Sequence, residues 1–211
     1  MNTFKLLPGD SAQEHCDREK STASTLVSGE YSLCFYINAP SILIGRHNVV
    51  SEWVNVNATV EDKIPVVRRI SGGGAVYHDE MTLCYSLIAS LDVINKHRGD
   101  SSHLDCFRDM LIEGLHRAGI CAEKSRLTDL SLNSRKISGN SAYITRTYAL
   151  LHGTLLRRAD YKAMERYLPI PPDRPGITHR DFVTSLEQEG FAISQVHLME
   201  CISAAICEML S

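Results

Sequence analysis

The chain has 211 residues, 44% of them apolar, enough for a core of its own and evidence against wholesale disorder. Lys and Arg total 22 against 25 Asp and Glu, a net charge of −3, so no basic field is available to hold a nucleic-acid backbone. Seven cysteines without a C-x-x-C pair argue against a zinc knuckle, and most sit in apolar runs as small buried hydrophobes.

No run of about 18 apolar residues occurs, and Met1–Gly9 is too short and polar for a leader, so the expectation is a reduced, cytoplasmic protein with no membrane segment. A helix is expected over 10–28, capped by Asp10 or Ser11 and stopped by Gly29, with a polar surface and a weak core face. Strands follow at 31–37 and 42–45, divided by Pro40, while 49–62 fits neither period cleanly. From Pro65 the pattern is strand (PVVRRI), glycine turn (SGGG), strand (AVYH) and a buried strand (TLCYSLIAS), before Gly99–Ser102 breaks the chain. Leu104, Phe107, Leu111, Leu115 and Ala118 make one apolar stripe of a helix over 102–118, ended by Gly119. Residues 120–156 read as short extended pieces: CAEKS, DLSL, RKISGNSAYI and YALLHGTLL. A helix at 160–168 ends before Pro169, Pro171, Pro172 and Pro175, a loop unable to join a central strand. A last helix over 194–210 turns Val196, Met199, Ile202, Ile206 and Met209 inward. Strands succeed one another without intervening helices, so the expected fold is α+β: a mixed, mostly antiparallel sheet with helices on one side, in a single domain over 1–211.

Three segments carry chemistry. In Arg68-Arg69-Ile70-Ser71-Gly72-Gly73-Gly74-Ala75-Val76-Tyr77-His78-Asp79, the glycines let backbone approach a ligand and the arginines bring permanent charge suited to phosphate or carboxylate. A strand rather than a helix follows the glycines, which argues against a dinucleotide fingerprint, and no P-loop occurs. Around Lys136, in RKISGNSAY, one amine beside a small-residue turn can neutralise charge growing in a transition state. In Leu151-His152-Gly153-Thr154-Leu155, a polar triplet interrupts an apolar strand. Taken singly, each has a plainer reading: a flexible turn, a solvated lysine, a structural histidine.

In this order and spacing the three closely resemble the lipoate–protein ligase A family. Ile44-Gly45-Arg46-His47-Asn48, Thr128-Asp129-Leu130 and Gly176-Ile177-Thr178 fit further segments of it. The resemblance implies a biotin/lipoyl-ligase catalytic fold and a two-step reaction: ATP activates lipoate as an acyl adenylate, then a lysine of an acceptor domain displaces AMP. It implies ATP contacts at Arg69, Gly74, Ala75, Val76, Tyr77, Asp129 and Lys136. It implies lipoate contacts at Arg69, Ser71, Gly72, Gly73, Lys136, Gly139, His152, Gly153 and Thr154. Lys136 would be catalytic, bridging the α-phosphate and the acyl carbonyl. No fixed metal site is expected; Mg²⁺ would travel with ATP, near Asp79 and Thr82. Implied partners are a lipoyl acceptor domain or H-type carrier. The family's C-terminal accessory domain has no room in the chain, which leaves three expectations open: a separate subunit that supplies it, a compact self-sufficient enzyme, or the transfer half-reaction alone.

The sequence departs from the family at Glu80-Met81-Thr82, where Thr82 replaces a longer amide, and in the first helix, where only Asp17 fits well. A lipoyl or octanoyl amidotransferase of the same fold would need a nucleophilic cysteine, and residues 122–200 hold none; Cys84 and Cys121 read as structural. A biotin ligase lacks support because its arginine-rich glycine loop is missing. A non-catalytic lipoate-binding subunit has little use for a phosphate-directed lysine.

Overall fold

The computed structural model describes residues 4–7 as backbone, and residues 11–170 and 176–211 in full. The reading of Asp10 as a cap and of a proline loop through Pro171, Pro172 and Pro175 lies outside the described residues.

Strand β1 (Phe4–Leu7) runs parallel to β2 (Tyr31–Tyr36), an element the sequence reading did not foresee. Between them lies α1 (Ala12–Thr25), shorter than the expected 10–28, with Ser11 and Glu14 closing a reciprocal capping box. Strand β3 (Ser41–Ile44) follows. The undecided stretch resolves into two short helices, α2 (Val50–Trp53) and α3 (Val56–Glu61), the second capped by the Asn55 side chain on the Ala58 N–H. Then come β4 (Val66–Arg68), β5 (Ala75–His78) and β6 (Thr82–Ser90). Helix α4 (Leu91–Arg98), also unforeseen, leads to α5 (His103–Arg117). The extended region becomes β7 (Glu123–Ser125), β8 (Asp129–Leu132), β9 (Arg135–Ile144) and β10 (Tyr148–Leu156). Helices α6 (Tyr161–Tyr167), α7 (His179–Phe182) and α8 (Gln195–Met209) complete the order.

The strands form two sheets rather than the expected one. Seven make the sheet β1-β2-β6-β10-β9-β8-β7, antiparallel except for β1 and β2; three make the sheet β4-β3-β5. In the small sheet β3 pairs parallel with β4 and antiparallel with β5.

Every residue of β6 is buried, which explains its near-continuous apolar reading. Leu83, Tyr85, Leu87 and Ala89 face one side, where Phe107, Met110 and Leu111 of α5 and Leu198, Ile202 and Ile206 of α8 pack on them. On the opposite side, Ile88 meets Ala23 of α1. Helices therefore cover both faces of the large sheet, not one. The expected inward face of α8 holds at Met199, Ile202 and Ile206, but Val196 is 58% exposed and Leu198 and Ala205 take the buried positions instead. A stripe drawn through Val196 is rotated away from the true one by part of a turn. No helix among the described residues is long and apolar enough to cross a membrane.

Candidate active site

The turn from β4 to β5 carries the triglycine, and the end of β3 frames it. The Arg46 N–H donates to the Ser71 carbonyl at 2.9 Å, and the Gly45 N–H to that of Gly74 at 3.2 Å. Asn48 Nδ2 donates to the Gly73 carbonyl at 3.0 Å. Gly73 has φ of +89°, a conformation that side chains resist. A Cβ on Gly45 would lie 1.9 Å from the Gly73 oxygen.

Both arginines work on this frame. Arg68 Nη1 is directed at the carbonyls of Gly45 and Asn48 at 2.8 and 2.9 Å. Arg69, 8% exposed, gives Nε and Nη2 to the Gly72 carbonyl, Nη2 also to Gly74, and Nη1 to Leu43, at 2.7–3.1 Å. Four of its five N–H groups are thereby spent on backbone, leaving one for a ligand. Burial pushes its pKa down to about 10, so it remains a cation at neutral pH.

A cavity of about 710 Å³ opens beside the turn. One wall is the small sheet, through Gly73, Gly74, Ala75, Val76 and Tyr77, with Arg69 behind them. The other is the large sheet, through Asp129, Lys136, Gly139, His152, Gly153 and Thr154. The sequence segments 68–79, 128–143 and 151–156 thus converge on one space. Lys136 Nζ sits 2.7 Å from Asp129 Oδ1 and 6.0 Å from the Phe182 ring. The lysine crosses the face of Gly139, where a Cβ would come within 2.7 Å of Nζ. The Thr184 N–H holds the Lys136 carbonyl at 2.8 Å, tying the chain after α7 to this strand.

A buried polar chain lies against the wall. His152 Nδ1 donates to the Glu19 carboxylate at 3.0 Å, and its Nε2 lies 2.6 Å from the Ser71 hydroxyl. Tyr36 donates to the same carboxylate at 3.1 Å, and burial pushes that phenol well above its ordinary pKa. Glu19 was not singled out from the sequence. Nearby, Asn38 bridges His15 Nδ1 and His78 Nδ1 at 2.6 and 2.7 Å, and burial depresses His78 to about 3.

Some expected site residues lie elsewhere. Ser71 and Gly72 do not line the cavity: Ser71 binds His152 from behind, and the Gly72 carbonyl accepts from Arg69 and Ser141. Asp79 Oδ1 accepts from the Met81 N–H and the Thr82 hydroxyl, both at 3.0 Å, and neither Asp79 nor Thr82 reaches the cavity. Because neither side chain reaches the cavity, they do not fit a Mg²⁺ held there by protein. Trp53, Phe182 and His179 line the cavity without having been foreseen, since α2 and α7 were unresolved in the sequence pattern. All seven cysteines are free; Cys16, Cys84 and Cys106 are buried, Cys34 and Cys207 are half-buried against core clusters, and the structural reading of Cys121 fails because it is exposed. None lines the cavity.

Residues 11–207 match the family model of the lipoyl protein ligase A/B catalytic domain. A similar curated protein, lipoate-protein ligase LplJ of Bacillus subtilis (strain 168), is 43% identical over 125 residues, which is 59% of this chain and 36% of that protein. The chain spans less than half the length of such curated relatives. Among solved structures, a lipoate-protein ligase A bound with ATP superposes with a TM-score of 0.85 at 23% identity, covering 99% of this chain and 85% of that one. The bi-partite lipoate protein ligase from Thermoplasma acidophilum, studied with its E2 lipoyl domain, gives 0.80 at 23% identity, covering 99% and 83%.

Proposed function

The chain belongs to the lipoyl protein ligase A/B catalytic-domain family, and on that premise we propose that it joins lipoate to a lysine of a lipoyl acceptor domain at the expense of ATP. The observation that carries this reading is the Lys136 ammonium, 2.7 Å from Asp129, in the same cavity as the triglycine turn. A fatty-type carboxylate is a poor electrophile, and bringing it to a triphosphate sets two anions together. The first half-reaction forms a bond from carboxylate oxygen to the α-phosphorus and breaks the bond to pyrophosphate. Lys136 neutralises the charge gathering on the phosphoryl and acyl oxygens. Arg69 lends its field and one free N–H, its remaining donors keeping the turn in shape. The glycines let the nucleotide approach backbone, and Gly139 clears the path of the lysine. Mg²⁺ comes on the phosphates of ATP rather than on a protein site.

The acyl chain fits the part of the cavity bounded by His152, Gly153 and Thr154; at about 710 Å³ the space lies within the range of small-molecule sites. Lipoate is favoured by the likeness to proteins named as lipoate ligases, and ATP by the likeness to a structure that holds it. The Thermoplasma relative is bi-partite, and that likeness is the reason to include a candidate accessory subunit in the assay. A thioester mechanism of the amidotransferase kind has no support, since no cysteine faces the cavity.

Incubation with lipoate, Mg·ATP and an acceptor lipoyl domain, with and without a candidate accessory subunit, should release pyrophosphate and add a lipoyl mass to the acceptor. Lys136→Met should slow this by about 10²–10³. Acceptor modified from octanoyl carrier protein without ATP, or an unchanged rate in Lys136→Met, would overturn the proposal.

A further inference from the structure

We infer that Asp129 is the proton acceptor for the incoming lysine in the second half-reaction, an assignment that rests on the ligase reading and deepens it. A lysine with its ordinary pKa near ~10.4 is almost wholly ammonium at neutral pH, and an ammonium has no lone pair to attack an acyl carbon. The site therefore needs a base within reach of the reacting centre.

Among the described residues, Asp129 is the one carboxylate lining the cavity. The histidines that share the cavity are less suited. His152 has both ring nitrogens engaged, by Glu19 and Ser71. His78 is tied to Asn38 within a buried chain. His179 uses Nε2 on the Leu168 carbonyl at 2.8 Å and keeps Nδ1, which makes it the rival to be tested.

Asp129 meets the geometric requirement. Lys136 and Thr128 both donate to Oδ1, at 2.7 and 3.2 Å, and Oδ2 receives no hydrogen bond among the described residues. The ion-pair partner of Asp129 is Lys136 from β9; Arg108 from α5 and Arg126 from the turn before β8 are the cations nearby in the fold. Arg108 Nη1 donates to the Asp129 carbonyl at 3.3 Å and pairs with Asp105; Arg126 lies over the Phe182 ring. When Lys136 turns to the phosphate and acyl oxygens of the adenylate, Oδ1 loses its cation, and the acceptor ammonium takes that place. One proton passes from nitrogen to the carboxylate. The freed lone pair bonds to the acyl carbon, the bond from that carbon to the phosphate oxygen breaks, and AMP leaves with the electron pair. The second N–H proton goes to solvent water.

The test follows single-turnover transfer from chemically prepared lipoyl-adenylate to an acceptor lipoyl domain between pH 6 and 10. The unaltered chain is compared with Asp129→Asn, Asp129→Glu and His179→Gln. Asp129→Asn should be about 10²-fold slower at pH 7, in line with the loss of a general base, and the deficit should shrink as rising pH supplies free amine. Asp129→Glu, which keeps a carboxylate, should recover the shape of the original profile and reports on folding independently of the amide variant. A deficit constant at every pH would mean that Asp129 only orients Lys136, and would overturn the assignment. So would a pH-dependent deficit that follows His179→Gln. If the unaltered chain neither makes the adenylate nor transfers from it, the ligase reading itself fails and takes this assignment with it.

Discussion

Gly45 stands where no side chain fits. Its Cα faces the Gly73 carbonyl so closely that a methyl group would sit 1.9 Å from that oxygen, and the oxygen is backbone, held by Asn48. Gly45→Ala should therefore push the triglycine turn away from β3. A drop in stability of about 1–3 kcal/mol is expected, the range for overpacking, together with loss of the ATP-dependent activity proposed above. Gly72→Ala is the control for stability, because a Cβ there meets nothing within 4 Å; its melting temperature should stay close to that of the unaltered chain. Thermal melts of both variants check the contrast. The sequence drew attention to Gly45, Arg68 and Arg69, but for another reason. It read the arginines as anion ligands, whereas most of their N–H groups serve carbonyls. Residue type and spacing do not say whether a guanidinium binds a substrate or its own loop, since both present oxygen acceptors. Glu19 escaped notice for a related reason: its partners His152 and Tyr36 are 133 and 17 residues away, and nothing local marks it.

At the scale of elements, the crossing of α5 and α8 depends on a glycine in a helix interior. A Cβ on Gly114 would meet the Ile202 Cα at 2.6 Å, so the two helices approach backbone to backbone. Gly114→Ala would gain helix propensity of about 1 kcal/mol, yet it must separate the pair and loosen the packing of Phe107 and Leu111 below. The clash wins because backbone cannot rotate out of the way. The variant should melt lower, with unfolding followed by circular dichroism. Elements with clear period or punctuation were legible: β6 from its apolar run, α5 from its stripe and Gly119, α6 from the proline that follows it. Those set by tertiary contact were not. Helix α4 lacks a side-chain cap bond at Ser90, and β1 gains its strand identity from pairing with β2.

The whole molecule carries an acid sensitivity that follows from His78. Unfolded, this histidine takes a proton near pH 6.5; folded, it resists one down to about 3. Below about pH 6.5 the unfolded state binds the proton that the native state refuses, so stability falls as pH drops through the window from about 6.5 to 3, by at most ~1.4 kcal/mol per pH unit from this group. Melting temperatures should decline between pH 7 and 5, and His78→Gln should show a flatter decline. AVYH reads as a strand, but nothing in it marks His78 as buried, because its partner Asn38 lies 40 residues away. The single sheet expected from strand order is likewise wrong in a way that pairing patterns explain: β3, β4 and β5 pair only with one another. The two sheets facing the cavity share no strand, so the gap between them is set by the girth of side chains and not by ladder geometry. Widening or narrowing that gap, through Leu43 on one side or Leu156 on the other, should alter the width of ligand that can enter while leaving every inter-strand hydrogen bond in place.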